Sequence, residues 1–123
     1  MYTISLPILG FENYKTVNIN ILDELFSTLI FDDENIQITL VNINYFKSSN
    51  FNFNIEDEVL EKLKVSKRED FEIYFCLVRQ EPIENSIVNL IAPILINQKD
   101  KIVGQYVIKD KVSRLLTTLN PNI

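Results

Sequence analysis

"VNLIAPILIN", residues 88–97, decides how this chain folds. The stretch is apolar and rich in β-branched residues, which predicts a buried strand. Ala92-Pro93 cuts it in the middle, and an asparagine stands near each end, at Asn89 and Asn97. Proline cannot donate to a β ladder and is confined to edges, bulges and strand starts. The sheet must therefore break or end at Pro93, with one strand expected over 86–91 and another over 93–97.

The segments around it keep a period of two. "DFEIYFCLVR" (70–79) alternates Phe71, Ile73, Phe75 and Leu77 against Glu72, Tyr74, Cys76 and Val78. "KTVNINIL" (15–22) and "NIQITLVNINYF" (35–46) alternate in the same way, and 102–109 completes the set. "LDELFSTLIF" (22–31) fits helix or strand, and its β-branched end favours a strand. Two segments carry helical spacing. "NIEDEVLEKLKV" (54–65) opens with Asn54 as a cap and acids in its first turn, and it ends with Lys62 and Lys64. "DKVSRLLTTL" (110–119) places Val112, Leu115, Leu116 and Leu119 at helical spacing behind Asp110. Many short strands and few helices predict a mainly β fold. We expect a single small antiparallel domain over 1–123, barrel-like or sandwich-like, with one or two short helices. Residues 110–123 are either a C-terminal helix packed on that domain or a tail that docks on a partner.

The chain has 123 residues and is 46% hydrophobic, enough for one core but not two. No run approaches the length of a membrane span, and "MYTISLPILG" lacks the layout of a signal peptide. A lone cysteine cannot form an internal disulfide, so the cytoplasm is the expected compartment. Charge is uneven. Residues 1–60 hold nine Asp/Glu against two Lys, a net of −7, within a chain whose total is −5. Such a surface disfavours direct nucleic-acid binding, which depends on neutralising phosphates; it suits a basic protein partner, and its plainer reading is solubility alone.

Much chemistry is excluded. Without histidine there is no imidazole base or imidazole metal ligand. Two glycines cannot build a phosphate-cradling loop. Cys76 sits inside an alternating strand, not in an electropositive setting that would activate it. Asp32-Asp33-Glu34 and Glu56-Asp57-Glu58 lack the alternating spacing and glycine of a calcium loop, and read as a solvated turn and a helix start. No catalytic, cofactor-binding or metal site is expected.

Three segments in order, "PILGFE" (7–12), "VNLIAPILIN" (88–97) and "GQYVI" (104–108), resemble the FliW family of flagellar assembly factors. The matching positions are Pro7, Gly10, Phe11 and Glu12, then Asn89, Leu90, Ala92, Pro93, Ile94, Ile96 and Asn97, then Gln105. The chain departs from the family after 36–42, where Asn42 is followed by Ile43 in place of proline. The resemblance implies a small cytoplasmic β domain without catalysis or cofactor. It implies two partners: flagellin, and CsrA, a small basic RNA-binding repressor of flagellin translation. Export of flagellin would free the FliW-like protein to sequester the repressor, so that synthesis follows secretion.

On that footing the expected partner-binding residues fall into two groups. Glu12, Asp32, Asp33, Glu34, Glu56, Asp57 and Glu58 supply the negative field. Asn89, Pro93, Ile94, Ile96, Asn97 and Gln105 form the motif, where a flagellin segment docks against Ile94 and Ile96. The other reading of that motif is a buried crossover in which Asn89 and Asn97 satisfy loose backbone groups. Two further classes stay open: a small-ligand-binding β-barrel built on Tyr45, Phe46, Phe51 and Phe53, and an interaction module with an unrelated protein partner. Direct RNA binding through Lys99, Lys101, Lys109, Lys111 and Arg114 is weaker than the reading of those residues as a solvated face.

Overall fold

Pro93 does not end its strand. Ile87–Asn97 is one continuous strand of 11 residues, and the proline sits in a bulge within it. A computed structural model of the chain describes residues 1–31, 36–45, 55–67, 70–78, 81–82, 85–107 and 114–115. Among these, the strands are β1 (Tyr2–Leu6), β2 (Thr16–Ile21), β3 (Phe26–Ile30), β4 (Gln37–Asn42), β5 (Glu72–Val78), β6 (Ile87–Asn97), β7 (Ile102–Gln105) and β8 (Arg114–Leu115). A 3-10 turn follows β4 at Ile43–Tyr45, and one helix, α1, spans Asp57–Lys62.

The first seven strands close into a barrel. Neighbours run β5-β4-β3-β2-β1-β7-β6, and pairing of β5 with β6 completes the ring. β8 adds to β6 from outside it. The fold is thus the expected mainly β barrel, with one correction: it is not wholly antiparallel. β1 runs parallel to β7, with Thr3 opposite Ile102 and Ile4 opposite Val103. Seven is an odd number, and a ring of strands alternating in direction cannot close on an odd count without one parallel pair.

Two apolar clusters stabilise the ring. One draws on every ring strand, through Tyr2, Val17, Leu29, Leu40, Tyr74, Ile94, Ile96 and Val103, and so fills the interior. The other lies on the opposite face of β4 to β7, through Val41, Phe75, Leu77, Val88, Leu90, Leu95 and Ile102, and is covered by Val59 and Leu63 of the α1 region. Both faces of β5 and β6 are therefore buried, each large side chain contributing on the order of 1.5–3 kcal/mol.

The bulge makes this double use possible. Asn89 pairs with Cys76 and Ile94 with Tyr74, so residues 90–93 of β6 stand opposite Phe75 alone. The surplus is odd, and an odd surplus exchanges the two faces of a strand. Before it, Val88 and Leu90 face the outer cluster; after it, Leu95 does, while Ile94 and Ile96 point inward.

The local elements follow from their residues. The Asp23 carboxylate accepts from the Leu25 and Phe26 amides, both at 2.8 Å, and turns the chain into β3. The expected strand over 22–31 is thus real but starts only at Phe26. The expected strand over 35–46 ends at Asn42, whose Oδ1 accepts the Asn44 amide at 2.9 Å. The helix is shorter than 54–65. Asn54 lies outside the described residues, and Glu56 takes the cap position without a side-chain cap bond. After Leu63 the chain turns left-handed at Lys64 (φ 58°), with Lys64 and Val65 amides bonded to the Glu61 and Leu60 carbonyls. That is a Schellman ending, made here without glycine. Within 110–119, Arg114 and Leu115 are strand instead of helix, opposite Val88 and Ile87. β7 covers only Ile94–Asn97 of β6, so the first half of β6 offers open backbone groups to an extended segment. The rest of 110–119 lies outside the described residues.

Candidate functional site

Among the described residues, the stretch of β6 between its two outer partners has no strand on its outer side, β5 running along the other. β8 pairs at Ile87 and Val88, and β7 pairs from Ile94 onward. Two side chains and one backbone hydrogen bond satisfy what lies between. The Ile91 amide donates to Asn89 Oδ1 at 2.9 Å. The Ala92 carbonyl accepts from Gln105 Nε2 at 2.9 Å. Pro93 has no N–H to satisfy, and its carbonyl accepts the Tyr106 amide at 3.0 Å. Gln105 Oε1 accepts the Leu9 amide at 2.7 Å, which ties the 7–12 turn to the same place. The segments "PILGFE", "VNLIAPILIN" and "GQYVI" therefore meet at one side chain, Gln105.

The turn is shaped for this contact. Gly10 takes φ 87°, a conformation costly for residues with a Cβ, and the Phe11 amide closes back on the Ile8 carbonyl at 2.8 Å. Phe11 stacks on buried Phe31 with ring centroids 4.6 Å apart, and Tyr14 tilts against the same ring at 4.8 Å. Ile8 is buried beneath them. On the far side of β6, Asn97 is buried and donates to the Leu63 carbonyl at 2.7 Å and to Asp100 at 3.2 Å. It fastens the end of α1 to the β6–β7 turn.

The candidate residues separate by burial. Ile94 and Ile96 are 0% exposed and belong to the barrel interior; Pro93 and Asn97 are also buried. Asn89 and Asn97 satisfy loose backbone groups, but within one continuous strand of a single sheet and not in a crossover between sheets, and the Ile94 and Ile96 side chains face the barrel interior. Asn89 and Gln105 are half-buried. Glu12, Glu56, Asp57 and Glu58 are exposed. Asp32, Asp33 and Glu34 lie outside the described residues.

Sequence reasoning missed the apolar surface at this junction. Leu9 is 56% exposed, Ile91 38% and Val107 47%, and each lies within two residues of an atom in the Gln105 network. The signal was available: they lie inside the three motif segments, Leu9 next to Gly10, Ile91 two residues before Pro93 and Val107 two residues after Gln105. The start of α1 lies close by, because α1 touches β1 and the Glu56 carboxylate acts on the Tyr106 hydroxyl. Burial, with the Glu56 carboxylate nearby, pushes the Tyr106 hydroxyl above its ordinary 10.0.

Other chemistries find little support. A surface cleft of about 420 Å³ lies between Val65, Phe71, Ile96 and the charged residues Lys64, Asp70, Glu72, Lys99 and Asp100. Its mixed lining differs from the deep apolar pocket that a small-ligand barrel would offer. Phe46, Phe51 and Phe53 lie outside the described residues. Among the described residues no group of three or more Cys, Asp or Glu could hold a metal ion, and no helix is long and apolar enough to cross a membrane. Of the basic set, Lys99 and Lys101 are exposed, with Lys101 lying 4.9 Å from the Tyr2 ring centroid. Lys109 and Lys111 lie outside the described residues.

The model of the FliW protein family matches residues 1–118. The chain belongs to the FliW family. Among relatives, it is 31% identical over 110 residues to the flagellar assembly factor FliW of Sulfurimonas denitrificans, covering 89% of this chain and 86% of that one. It is 38% identical over 98 residues to flagellar assembly factor FliW 2 of Helicobacter hepaticus, covering 78% and 70%. A crystal structure of the flagellar assembly factor FliW superposes with a TM-score of 0.82 over 93% of this chain and 83% of that one. At 22% identity, that likeness speaks to the FliW fold alone.

Proposed function

We propose that this FliW-family chain is a cytoplasmic, non-catalytic flagellar assembly factor. It binds flagellin and, when free of it, binds and antagonises a CsrA-type translational repressor, coupling flagellin synthesis to export. The observation that carries the reading is family membership over nearly the whole chain, with Gln105 joining all three motif segments. The exposed carboxylates at Glu12 and Glu56–Glu58 support a basic second partner.

A switch of this kind needs affinities that compete. Each tenfold preference between partners corresponds to about 1.4 kcal/mol. Moderate affinities suit it, since slow dissociation would lag behind export. Titration calorimetry of the purified protein with a flagellin C-terminal fragment, and separately with the repressor, tests the reading. Saturable binding of both is expected; binding of neither overturns it.

A further inference from the structure

We propose that Leu9, Ile91 and Val107 form the centre of a docking surface for a positively charged protein partner, rimmed by Glu12 and the carboxylates of Glu56, Asp57 and Glu58. The inference rests on the reading that this chain binds a basic repressor, and it assigns that partner a place.

Scattered apolar side chains on a protein surface need no explanation. Ile21 and Leu22 are such a case, at the tip of the β2–β3 hairpin. The three residues here differ because they stand on a common frame. Gln105 holds the backbone of Leu9 and Ala92 together, and the Tyr106 amide is bonded to the Pro93 carbonyl. The backbone that presents Leu9, Ile91 and Val107 is thus fixed by hydrogen bonds, which limits the ordering cost of binding. Charge selects the occupant. Glu12 leaves the same turn as Leu9, and the start of α1 is set beside the junction by its contact with β1 and by Glu56 lying near Tyr106. An apolar centre with a negative rim fits a protein surface of aliphatic side chains bordered by Lys or Arg, following the usual layout of interfaces.

The test compares the wild type with Leu9→Ser/Ile91→Ser/Val107→Ser and with Glu56→Gln/Asp57→Asn/Glu58→Gln. Each is titrated with the CsrA-type repressor and with flagellin, and each melting temperature is measured. The apolar triple variant is expected to bind the repressor at least tenfold more weakly. The charge triple variant is expected to associate several-fold more slowly at low salt and to converge on the wild type at high salt. Unchanged repressor affinity in a folded apolar variant overturns the surface while leaving the functional reading intact. Selective loss of flagellin binding also overturns it. A wild type that binds neither partner removes the functional reading and the surface with it. Should the apolar variant fail to fold, amide shifts of the wild type on adding repressor decide: a footprint on residues 7–12, 89–92 and 105–107 supports the surface, and one elsewhere overturns it.

Discussion

Gln105 donates its side-chain amide to the carbonyl of Ala92 at 2.9 Å, thirteen residues earlier and at the point where, among the described residues, β6 has no outer neighbouring strand. With its oxygen on the Leu9 amide at 2.7 Å, it substitutes for ladder bonds that Pro93 and the bulge make impossible.

Removing that side chain leaves the part-buried Ala92 carbonyl without its partner and hands the exposed Leu9 amide to water. Gln105→Ala is expected to destabilise the chain by about 1–3 kcal/mol. Gln105→Glu should be nearly as costly, because a carboxylate can accept from Leu9 but cannot donate to Ala92. Urea unfolding of the two variants checks this, with amide exchange at Leu9 as a local reporter.

Ile94 has no exposed surface. Ile94→Asp places a carboxylate in the barrel interior, and fold and partner binding should be lost together. Ile94→Val removes one methylene and should cost about 0.5–1.5 kcal/mol while leaving binding intact. Circular dichroism melts beside flagellin titrations separate an interior role from a contact role.

Gly104 packs where β1 and β7 run parallel. A Cβ there would lie 2.8 Å from Leu6 Cβ, closer than side-chain atoms tolerate. Gly104→Ala should push the closing strands apart and cost about 1–3 kcal/mol. At Gly10 a Cβ meets nothing within 4 Å, so Gly10→Ala carries only its backbone strain of about 1–2 kcal/mol. Denaturant midpoints should fall furthest for Gly104→Ala.

Burial pushes the Cys76 thiol up to about 11 from its ordinary 9.0. The folded state then holds the proton more tightly than the unfolded chain. Its stabilising contribution is complete below pH 9 and is lost as pH rises through 11. Melting temperatures should fall over that window, and Cys76→Ala should flatten the fall. It should not abolish it, because burial also raises Tyr74 above its ordinary 10.0. Alkylation at pH 7–8 should be slow in the folded chain and fast in denaturant.

The alternation of β2, β4 and β5 was legible because each strand has one face set by a simple period, and Pro93 was legible as a break. The consequence of that break was not. An exchange of faces at residues 90–93 depends on how many residues the partner strand leaves opposite, which lies in β5 and not in "VNLIAPILIN". The parallel β1–β7 pair is likewise a property of ring closure, invisible in either strand. Arg114–Leu115 sits in a segment with helical spacing, yet the open edge of β6 draws it into pairing. Gln105 was visible as a motif residue, but its role required three distant segments in space. Leu9, Ile91 and Val107 were passed over because single apolar residues within an apolar motif look like core.

The proposed exchange of two partners on one small barrel can be followed in a competition titration. The repressor is bound to the purified protein, flagellin C-terminal fragment is added stepwise, and repressor release is followed by fluorescence anisotropy. Flagellin is expected to displace the repressor, with an apparent repressor affinity that falls as flagellin rises. A stable ternary complex in which each partner keeps its full affinity would contradict it.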